Sequence, residues 1–442
     1  MSLSGIMSSV NSFVWGPVML IFLVGTGVYL TFRLGFIQFV RLPQALKLIF
    51  KENDYDKLEG DIPPIQALTT ALSATIGTGN IAGVATAIFL GGPGAIFWMW
   101  VCAVFGMATK YAEAVLAVKY RHHLPDGTMQ GGPMRYIADG LGLKWLGWIF
   151  AFCGSIAAFG IGSMVQSNSV AVALRETWRI SPYVTGIVLA VMTGVVIIGG
   201  IRRIGKVTEK LVPIMGIAYF IGAFLILLFH IDKIPGALAL IFKYAFNPVA
   251  ATGGFAGAAV SAAMRFGVAR GVFSNEAGLG SAPIAHAAAK TDSPVQQGLI
   301  AMTGVFFDTI IICSMTALVI LSTGVWDSGE TSSALTYLAF EQGLPGPGGL
   351  IVTISLTVFA YSTMIGWAYY GEECIEYILG IRARMWYRYL FCLVIALGAI
   401  QKVGFVWDFS DTMNGAMAIP NLIGLLGLSA ITAKATKEAF EK

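Results

Sequence analysis

Charged residues are scarce in this sequence. Only 12% of its 442 residues are Asp, Glu, Lys or Arg, and 56% are hydrophobic, whereas an average soluble domain has roughly a quarter charged residues. This composition excludes an ordinary soluble protein and predicts a membrane protein. We expect membrane lipid, and no nucleic acid, among its partners.

Cysteine and histidine are also few. The four histidines show no metal-ligand spacing with cysteines or acids, and the spans contain no serine–histidine or acid–histidine set for an intramembrane enzyme. All five cysteines fall inside predicted spans, where a structural disulfide framework is not expected. They are Cys102, Cys153, Cys313, Cys374 and Cys392.

Long apolar runs, by contrast, are abundant. A bilayer core of about 30 Å takes about 20 apolar residues per helix, and the alternation of a β-barrel is absent, so the predicted fold is an all-α polytopic membrane protein. The first run has no small-residue cleavage site and is predicted to be retained as a helix. Eleven transmembrane helices are predicted, at 13–33, 65–90, 94–118, 145–173, 181–200, 209–230, 250–284, 296–324, 348–377, 384–402 and 414–436.

Lys and Arg are unevenly distributed between the loops. With the N-terminus placed outside, 20 of the 28 lie on the cytoplasmic side, five lie in the opposite loops and three lie inside spans. An excess of basic residues marks the cytoplasmic side of a membrane protein. We therefore predict a multi-pass protein of the cell membrane with its N-terminus outside and its C-terminus in the cytoplasm.

Two of the predicted spans are interrupted by poor helix formers. The second contains TTALSATIGTGNIAGVATAIF, Thr69 to Phe89, and the seventh contains RGVFSNEAGLGSAP, Arg270 to Pro283. They stand five spans apart, so they enter the membrane from opposite sides. Paired interrupted helices in two halves of a chain are typical of transporters built from inverted repeats. We predict a ten-helix core of two inverted five-helix repeats, preceded by one extra helix.

This organisation divides the chain into four parts. They are the extra N-terminal helix with a cytoplasmic loop, a first repeat, an extracellular interfacial segment, and a second repeat with a cytoplasmic tail: 1–60, 61–232, 233–249 and 250–442. The interfacial segment carries apolar residues at helical spacing between two charges, as a helix on the membrane surface does. An apolar loop is the equally simple alternative.

The first interruption offers binding groups of both signs. Unwinding frees N–H and C=O groups at membrane depth, which is tolerable only where they line a cavity or meet a ligand. The half-helix after Gly79 presents N–H groups for a carboxylate, and the half-helix ending near Ile76 presents carbonyls for a small cation. Close helix packing through the small residues Gly77, Gly79 and Gly83 is the structural alternative.

Four motifs make a family resemblance specific. SATIGTGNIAG, GGPMRYI, VFSNEAGLGS and FAYSTMIGWAYYGE resemble those of the alanine or glycine:cation symporter family, within the larger class that shares the bacterial leucine transporter fold. The likeness covers nearly the whole chain, including the helix before the ten-helix core. It implies sodium-coupled uptake of alanine or glycine, with weak discrimination between enantiomers.

The resemblance also implies a substrate site. The N–H groups of Thr78 and Gly79 match those that hold the substrate carboxylate. Phe273 and Ser274 match an aromatic lid and a hydroxyl beside the substrate. Asn275 is a candidate ligand of the substrate or of a second cation.

A sodium site is implied next to it. Sodium prefers hard oxygen ligands, and the family's fold places two main-chain carbonyls opposite two hydroxyls. The corresponding residues here are Ser73, Ile76, Ser362 and Thr363.

The chain departs from related amino-acid transporters on the third core helix. Where they place a tyrosine, this sequence has FGIGSMVQSNS, with Phe159 and Gln166 as candidates. Gln166 either binds the substrate or forms a helix–helix hydrogen bond. Met364 and Trp367 share a helix face and are predicted to cap a pocket that admits a methyl side chain but not leucine, although ordinary helix packing is a rival explanation.

Ionisable residues inside the spans each require an explanation. Lys110 and Glu113 are predicted to pair with each other. Glu276 lies inside the second interruption. Its alternative roles are bonding to the freed N–H groups, binding a cation and taking up a proton. Asp308 has three alternative roles: helix capping, a salt bridge or ion coupling. Arg265 and Arg270 are candidates for an entry gate paired with an unidentified acid.

The function predicted from these observations is a sodium-coupled symporter, working by alternating access, that binds alanine, glycine or another small amino acid. The main alternative is a proton-coupled carrier with Glu276 as the titrating group. An ion channel is a more distant alternative. We expect a functional monomer.

Overall fold

The computed structural model describes residues 9–11, 14–51, 57–246, 256–401 and 403–441, and they are mostly helical. One antiparallel pair of two-residue strands joins β1 (His122–His123) to β2 (Met129–Gln130). The helices are α1 Pro17–Arg33, α2 Ile37–Val40, α3 Leu42–Ile49, α4 Pro64–Thr75, α5 Gly79–Gly91, α6 Ala95–Lys119, α7 Pro133–Arg135, α8 Lys144–Trp178, α9 Pro182–Ile197, α10 Gly200–Phe229, α11 Ile234–Phe246, α12 Ala256–Asn275, α13 Ala282–Ala287, α14 Pro294–Thr323, α15 Ser332–Gly343, α16 Pro347–Leu379, α17 Ala383–Gly398, α18 Val403–Gly427 and α19 Ser429–Phe440.

Several of these helices are long and apolar enough to cross a bilayer. By length and composition there are five among the described residues, or seven if each of two bent pairs counts as one span. Their outer faces expose large apolar side chains: Val191 of α9 is 61% exposed and Ile214 of α10 is 67% exposed. Apolar surface of this kind requires lipid rather than water around it, so the protein is a multi-pass membrane protein.

Both predicted interruptions are present. α4 and α5 are separated at residues 76–78 and differ in direction by 51°, while α12 ends at Asn275 and α13 begins at Ala282. The last predicted span was wrong in its bounds. The helix begins earlier, at Val403, and ends at Gly427, after which α19 continues at a bend of 56°. Its first turns include Asp408 and Asp411, polar residues that a search for apolar runs leaves out.

The predicted interfacial segment contains the helix α11. Residues 247–249 of that segment, and the first residues of the predicted seventh span, 250–255, lie outside the described residues. All five cysteines are free thiols.

In the described part of the chain, four short π-helical turns bring irregular backbone into the core. They lie at Gly79–Gly83, Tyr136–Gly140, Ala158–Met164 and Phe306–Cys313. A π-helical turn leaves some carbonyls without the usual helical partner and often marks a functional site. Around the interrupted helices, α6 packs against α12 and α14, and α16 packs against α4 and α8.

Candidate functional site

The first break has the freed backbone groups that the sequence predicts. Ile76 is extended, with φ −74° and ψ 92°, and the Gly77 N–H donates to Asn80 Oδ1 at 2.9 Å. A methyl group at Gly77 would overlap the hydroxyl of Thr363, and one at Gly79 would lie 3.1 Å from the Cα of Ser274. Glycine at these two positions therefore allows the first break to contact both α16 and the second break.

The four residues of the predicted sodium site lie together. Ser362 Oγ is 3.2 Å from the carbonyl oxygen of Ser73 and 3.5 Å from that of Ile76. Thr363 Oγ1 is 3.4 Å from the same Ile76 oxygen. Two carbonyls and two hydroxyls thus converge where α4 ends, and each can direct an oxygen lone pair at a small hard cation.

Gln166 contacts the backbone amide that was predicted to hold the substrate carboxylate. Its Oε1 accepts from the Thr78 N–H at 3.5 Å, and its Nε2 donates to the Ile161 carbonyl at 2.9 Å. The Ile161 carbonyl belongs to the π-helical turn of α8, which explains why it needs a side-chain donor. The structure therefore brings Gln166, Thr78 and Gly79 to one place.

Glu276 and Trp367 hold the second break. Glu276 adopts a left-handed conformation with φ 57°. Its carboxylate accepts from Ser281 Oγ at 2.6 Å and from Trp367 Nε1 at 2.7 Å. The indole of Trp367, expected to cap a pocket, is thus directed at the break, and both residues are fully buried. Side chains, rather than the freed N–H groups, are the partners of this carboxylate.

Glu113, instead, binds the freed backbone of the second break. Glu113 Oε1 accepts from the Gly278 N–H at 3.1 Å and from Asn421 Nδ2 at 2.7 Å, and that same Nδ2 donates to the Gly278 carbonyl at 2.9 Å. The predicted ion pair between Glu113 and Lys110 is not formed: the Lys110 ammonium has no hydrogen-bond partner among the described residues. That prediction was wrong because spacing along one helix cannot reveal the competing amides of another.

Asp308 joins the two breaks and was the main residue whose role the sequence left open. Its carboxylate accepts from Asn80 Nδ2 at 2.7 Å, after the first break, and from Ser274 Oγ at 2.8 Å, before the second. Thr309 Oγ1 donates to it at 2.7 Å, and Asp308 is fully buried. The only signal in the sequence was an acid inside a span.

The remaining candidates are placed differently from one another. Phe273 lies beside Gly79, whose added methyl would be 3.2 Å from its ring, and Met364 is fully buried. Asn275 is occupied by Thr309 Oγ1, at 3.1 Å, and by the Ala277 N–H, at 2.9 Å. Phe159 packs instead on aromatic rings of α17, with its centroid 4.9 Å from that of Tyr387, so the structure does not bring it together with the others.

Sequence reasoning gave no role to α18, although this helix also reaches the site region. Ser410 lies against Gly160 of the π-helical turn in α8. The hydroxyl of Ser410 and both amide atoms of Asn414, one turn later, are buried and have no hydrogen-bond partner among the residues described. The same is true of Thr78 Oγ1. Buried polar atoms normally have partners, so these atoms are candidates for contact with a ligand.

One end of the site is closed by aromatic rings and an ion pair. Phe273 and Trp407 have ring centroids 5.2 Å apart, and the guanidinium of Arg270 lies over both rings. Arg270 is 2.9 Å from the carboxylate of Asp411, which identifies the acid that the sequence could not name.

The other end is closed by backbone pairing between the two interrupted helices. The Asp61 N–H donates to the Ala288 carbonyl at 2.8 Å and the Lys290 N–H to the Ile62 carbonyl at 2.7 Å. Arg121 clamps the pair, donating to main-chain carbonyls of both segments, including Ala289 at 2.6 Å. Burial raises the pKa of Asp61, and this effect outweighs the hydrogen bond that the carboxylate accepts from the Met129 N–H, which lowers the pKa.

The two interrupted helices bring hard oxygens and main-chain amides together at their breaks, and the site between them is closed at both ends. This arrangement defines a secondary transporter of the bacterial leucine transporter fold. The crystal structure of MhsT in complex with L-phenylalanine is similar in fold, with a TM-score of 0.59 at 14% identity, covering 86% of this chain and 99% of that one. The chain belongs to the sodium:alanine symporter family, which it matches over residues 1–442. It is a transporter and not an enzyme.

Two relatives illustrate the family. The sodium/alanine symporter AgcS of Methanococcus maripaludis is 55% identical over 445 residues, which cover 99% of this chain and 97% of the relative. An uncharacterized transporter of Haemophilus influenzae is 50% identical over 445 residues, which cover 100% of this chain and 97% of that protein.

Proposed function

We propose that this chain imports alanine or glycine together with sodium by alternating access. The observation that carries the proposal is the convergence of the Ser73 and Ile76 carbonyls with the hydroxyls of Ser362 and Thr363, next to the Thr78 and Gly79 amides. A cation and a carboxylate bound at adjacent positions of one break stabilise each other. The family and the relative named for sodium and alanine support the same pair of solutes.

The substrate carboxylate binds at the Thr78 and Gly79 N–H groups. Gln166 Oε1, which contacts the Thr78 N–H at 3.5 Å, yields this donor to the substrate, because a carboxylate accepts a stronger, charge-assisted hydrogen bond than an amide oxygen. The substrate side chain points toward bulky groups that leave room for a methyl but not for leucine. These include Phe273, Met364 and Trp367, with Ser274 and Asn275 at the second break.

Asp308 supplies a second oxygen cluster for a cation. Its carboxylate, with the hydroxyls of Ser274 and Thr309 2.8 and 2.7 Å away, lies between the two breaks. A sodium ion there would be bound by one charged and two neutral oxygens, ligands that hard cations prefer. Both breaks would then depend on sodium for their relative position, which is what coupling requires.

The membrane topology is part of the same proposal. Eleven spans, with the ten after the first forming two inverted five-helix repeats at 61–232 and 250–442, are supported by the two interrupted helices and by the fold likeness. The segment 1–60 is then an extra helix with its loop, and 233–249 is an extracellular interfacial segment. The basic residues place the N-terminus outside and the C-terminus in the cytoplasm of a cell-membrane protein that functions as a monomer.

In this orientation the two closures become gates. The Arg270–Asp411 pair with Phe273 and Trp407 closes the extracellular side, and Arg121 with the paired segments closes the cytoplasmic side. Opening one closure at a time exposes the site alternately to the two solutions. Both gates connect the interrupted helices to neighbouring elements, so rearrangement of the breaks on binding is transmitted to them.

The test is uptake of labelled alanine into liposomes containing the purified protein, with sodium, potassium or proton gradients imposed in turn. Accumulation above equilibrium only with inward sodium, inhibited by glycine but not by leucine, is the expected result. Accumulation driven by protons alone would replace the proposal with the proton-coupled alternative. Ion flux without saturable solute uptake would indicate a channel.

A further inference from the structure

Lys110 is a buried basic residue whose side-chain nitrogen has no direct partner in the part of the chain that the structure describes. The residue is 2% exposed, and its Nζ is a buried atom with no hydrogen-bond partner among the described residues. An ammonium group removed from water and left unpaired is strongly unfavourable. Its position therefore calls for a functional explanation.

The ammonium belongs to a small cavity between the two interrupted helices. Residues of α4, α12, α13 and α14 surround it, with Thr75 just before the first break and Asn275 just before the second. The cavity has a volume of about 10 Å³, which is close to the minimum needed to hold one water molecule. The ammonium thus cannot recover there the hydration that it has in solution.

Three carboxylates attract this ammonium from a distance. They belong to Glu113, Glu276 and Asp308, and none of their oxygens lies within ion-pair distance, 4.0 Å, of Nζ. Each carboxylate is held by other donors, as described above. The four-carbon side chain of Lys110 is flexible, so its charge can approach one of these acids when that acid loses another cation.

We propose that Lys110 is a tethered counter-ion that competes with sodium. When the carrier is empty, its ammonium compensates the carboxylate charge that sodium otherwise compensates. This rests on the proposed function. The cavity connects the ammonium with both breaks, and Asp308 lies between those breaks as the acid of the second oxygen cluster. With sodium bound, Lys110 remains unpaired; without sodium, it compensates the buried carboxylates and lets the empty carrier close and return.

The proposal separates two transport modes. Net accumulation requires the empty carrier to return, whereas exchange of labelled for unlabelled alanine, with saturating sodium on both sides, does not. Lys110→Met removes the charge and keeps much of the side-chain volume. Net uptake should fall about tenfold. This loss is smaller than the full cost of an uncompensated buried charge. Exchange should stay within about threefold of wild type.

Sodium binding provides a readout that does not depend on transport. In detergent, the sodium concentration that gives half of the maximal thermal shift should be several-fold lower for Lys110→Met than for wild type, because the competitor is gone. Lys119→Met is the matched control, since it makes the same change on the same helix at an exposed position. Lys110→Arg, which keeps the charge, should restore part of the net uptake.

Equal losses of net uptake and exchange, with unchanged sodium dependence of the thermal shift, would overturn the proposal, as would unchanged net uptake. If Lys110→Met does not fold, Lys110→Gln tests the same expectations. Failure of the proposed function would be visible separately, because wild-type protein would then show no sodium-driven accumulation. The comparison of sodium thermal shifts would still decide whether Lys110 competes with the ion.

Discussion

The side chains of Asn80 and Asp308 connect the first interrupted helix to α14 through a hydrogen bond of 2.7 Å. Asn80 also binds the Gly77 N–H inside the break, and Asp308 binds Ser274 at the second break. Thr316 Oγ1 donates to the Asn80 carbonyl at 2.8 Å, which satisfies a group freed by the π-helical turn. A substitution at Asp308 therefore alters hydrogen bonds at both breaks.

Asp308→Asn should weaken sodium dependence. The substitution removes the charge and keeps the shape, and the hydroxyls of Ser274 and Thr309 can accept from the new amide as well as donate. The sodium concentration for half-maximal alanine uptake should rise about tenfold or more, because charge-assisted contacts are the strong ones. Asp327→Asn, at an exposed position between α14 and α15, is the control and should behave as wild type. An unchanged sodium dependence in Asp308→Asn would contradict the second oxygen cluster.

Thr363→Ala should affect sodium more than substrate. The hydroxyl lies 3.4 Å from the Ile76 carbonyl, and losing a contact to a charged partner costs about 1.5 kcal/mol or more, about tenfold in affinity. Sodium binding and alanine binding at saturating sodium would be measured by calorimetry. Thr357→Ala on the same helix, whose hydroxyl donates to the Thr353 carbonyl, should leave both unchanged. Equal weakening of the two ligands, with sodium dependence intact, would count against the assigned cation site.

Gly79→Ala should abolish most uptake, whereas Gly83→Ala should not. A methyl at Gly79 would lie 3.1 Å from Ser274 Cα and 3.2 Å from the Phe273 ring, but nothing lies within 4 Å of one at Gly83. Overpacking of this kind costs about 1–3 kcal/mol, and it occurs where the substrate carboxylate is proposed to bind. The two variants share a π-helical turn, so uptake rates after matched expression compare them directly. Normal uptake by Gly79→Ala would show that the breaks do not need this close approach.

Arg121→Gln should loosen the cytoplasmic closure. Arg121 donates to carbonyls of Ala287, Ala289, Glu59 and Thr291, and glutamine cannot span all four. Hydrogen exchange of the Asp61 and Lys290 amides, which pair the two segments, should accelerate about tenfold as local opening becomes easier. Arg203→Gln, at an exposed position of α10, is the control. Unaltered exchange in Arg121→Gln would mean that the backbone pairs hold the closure without the arginine.

Much of the architecture could be predicted because glycine and polar residues inside an apolar run have few structural explanations. Both breaks were anticipated in this way, whereas the grouping of Ser73, Ile76, Ser362 and Thr363 was implied by the family resemblance. The partners of Glu113 were not, because the amide of Gly278 lies 165 positions away in the chain and only folding reveals it. Likewise, Phe159 was a candidate because of its position on the third core helix, but its ring packs on Tyr387 of α17, a contact between helices distant in the sequence.

The most direct test of the central claim is the linkage between sodium and alanine in the purified protein. Adjacent sites at one break require that each ligand strengthen binding of the other by the same factor. Calorimetric titration of alanine at increasing sodium, with potassium as the replacement, should give a dissociation constant that falls steadily until sodium saturates, and this fall should be largely lost in Thr363→Ala. Alanine affinity independent of sodium in the wild-type protein would contradict the account.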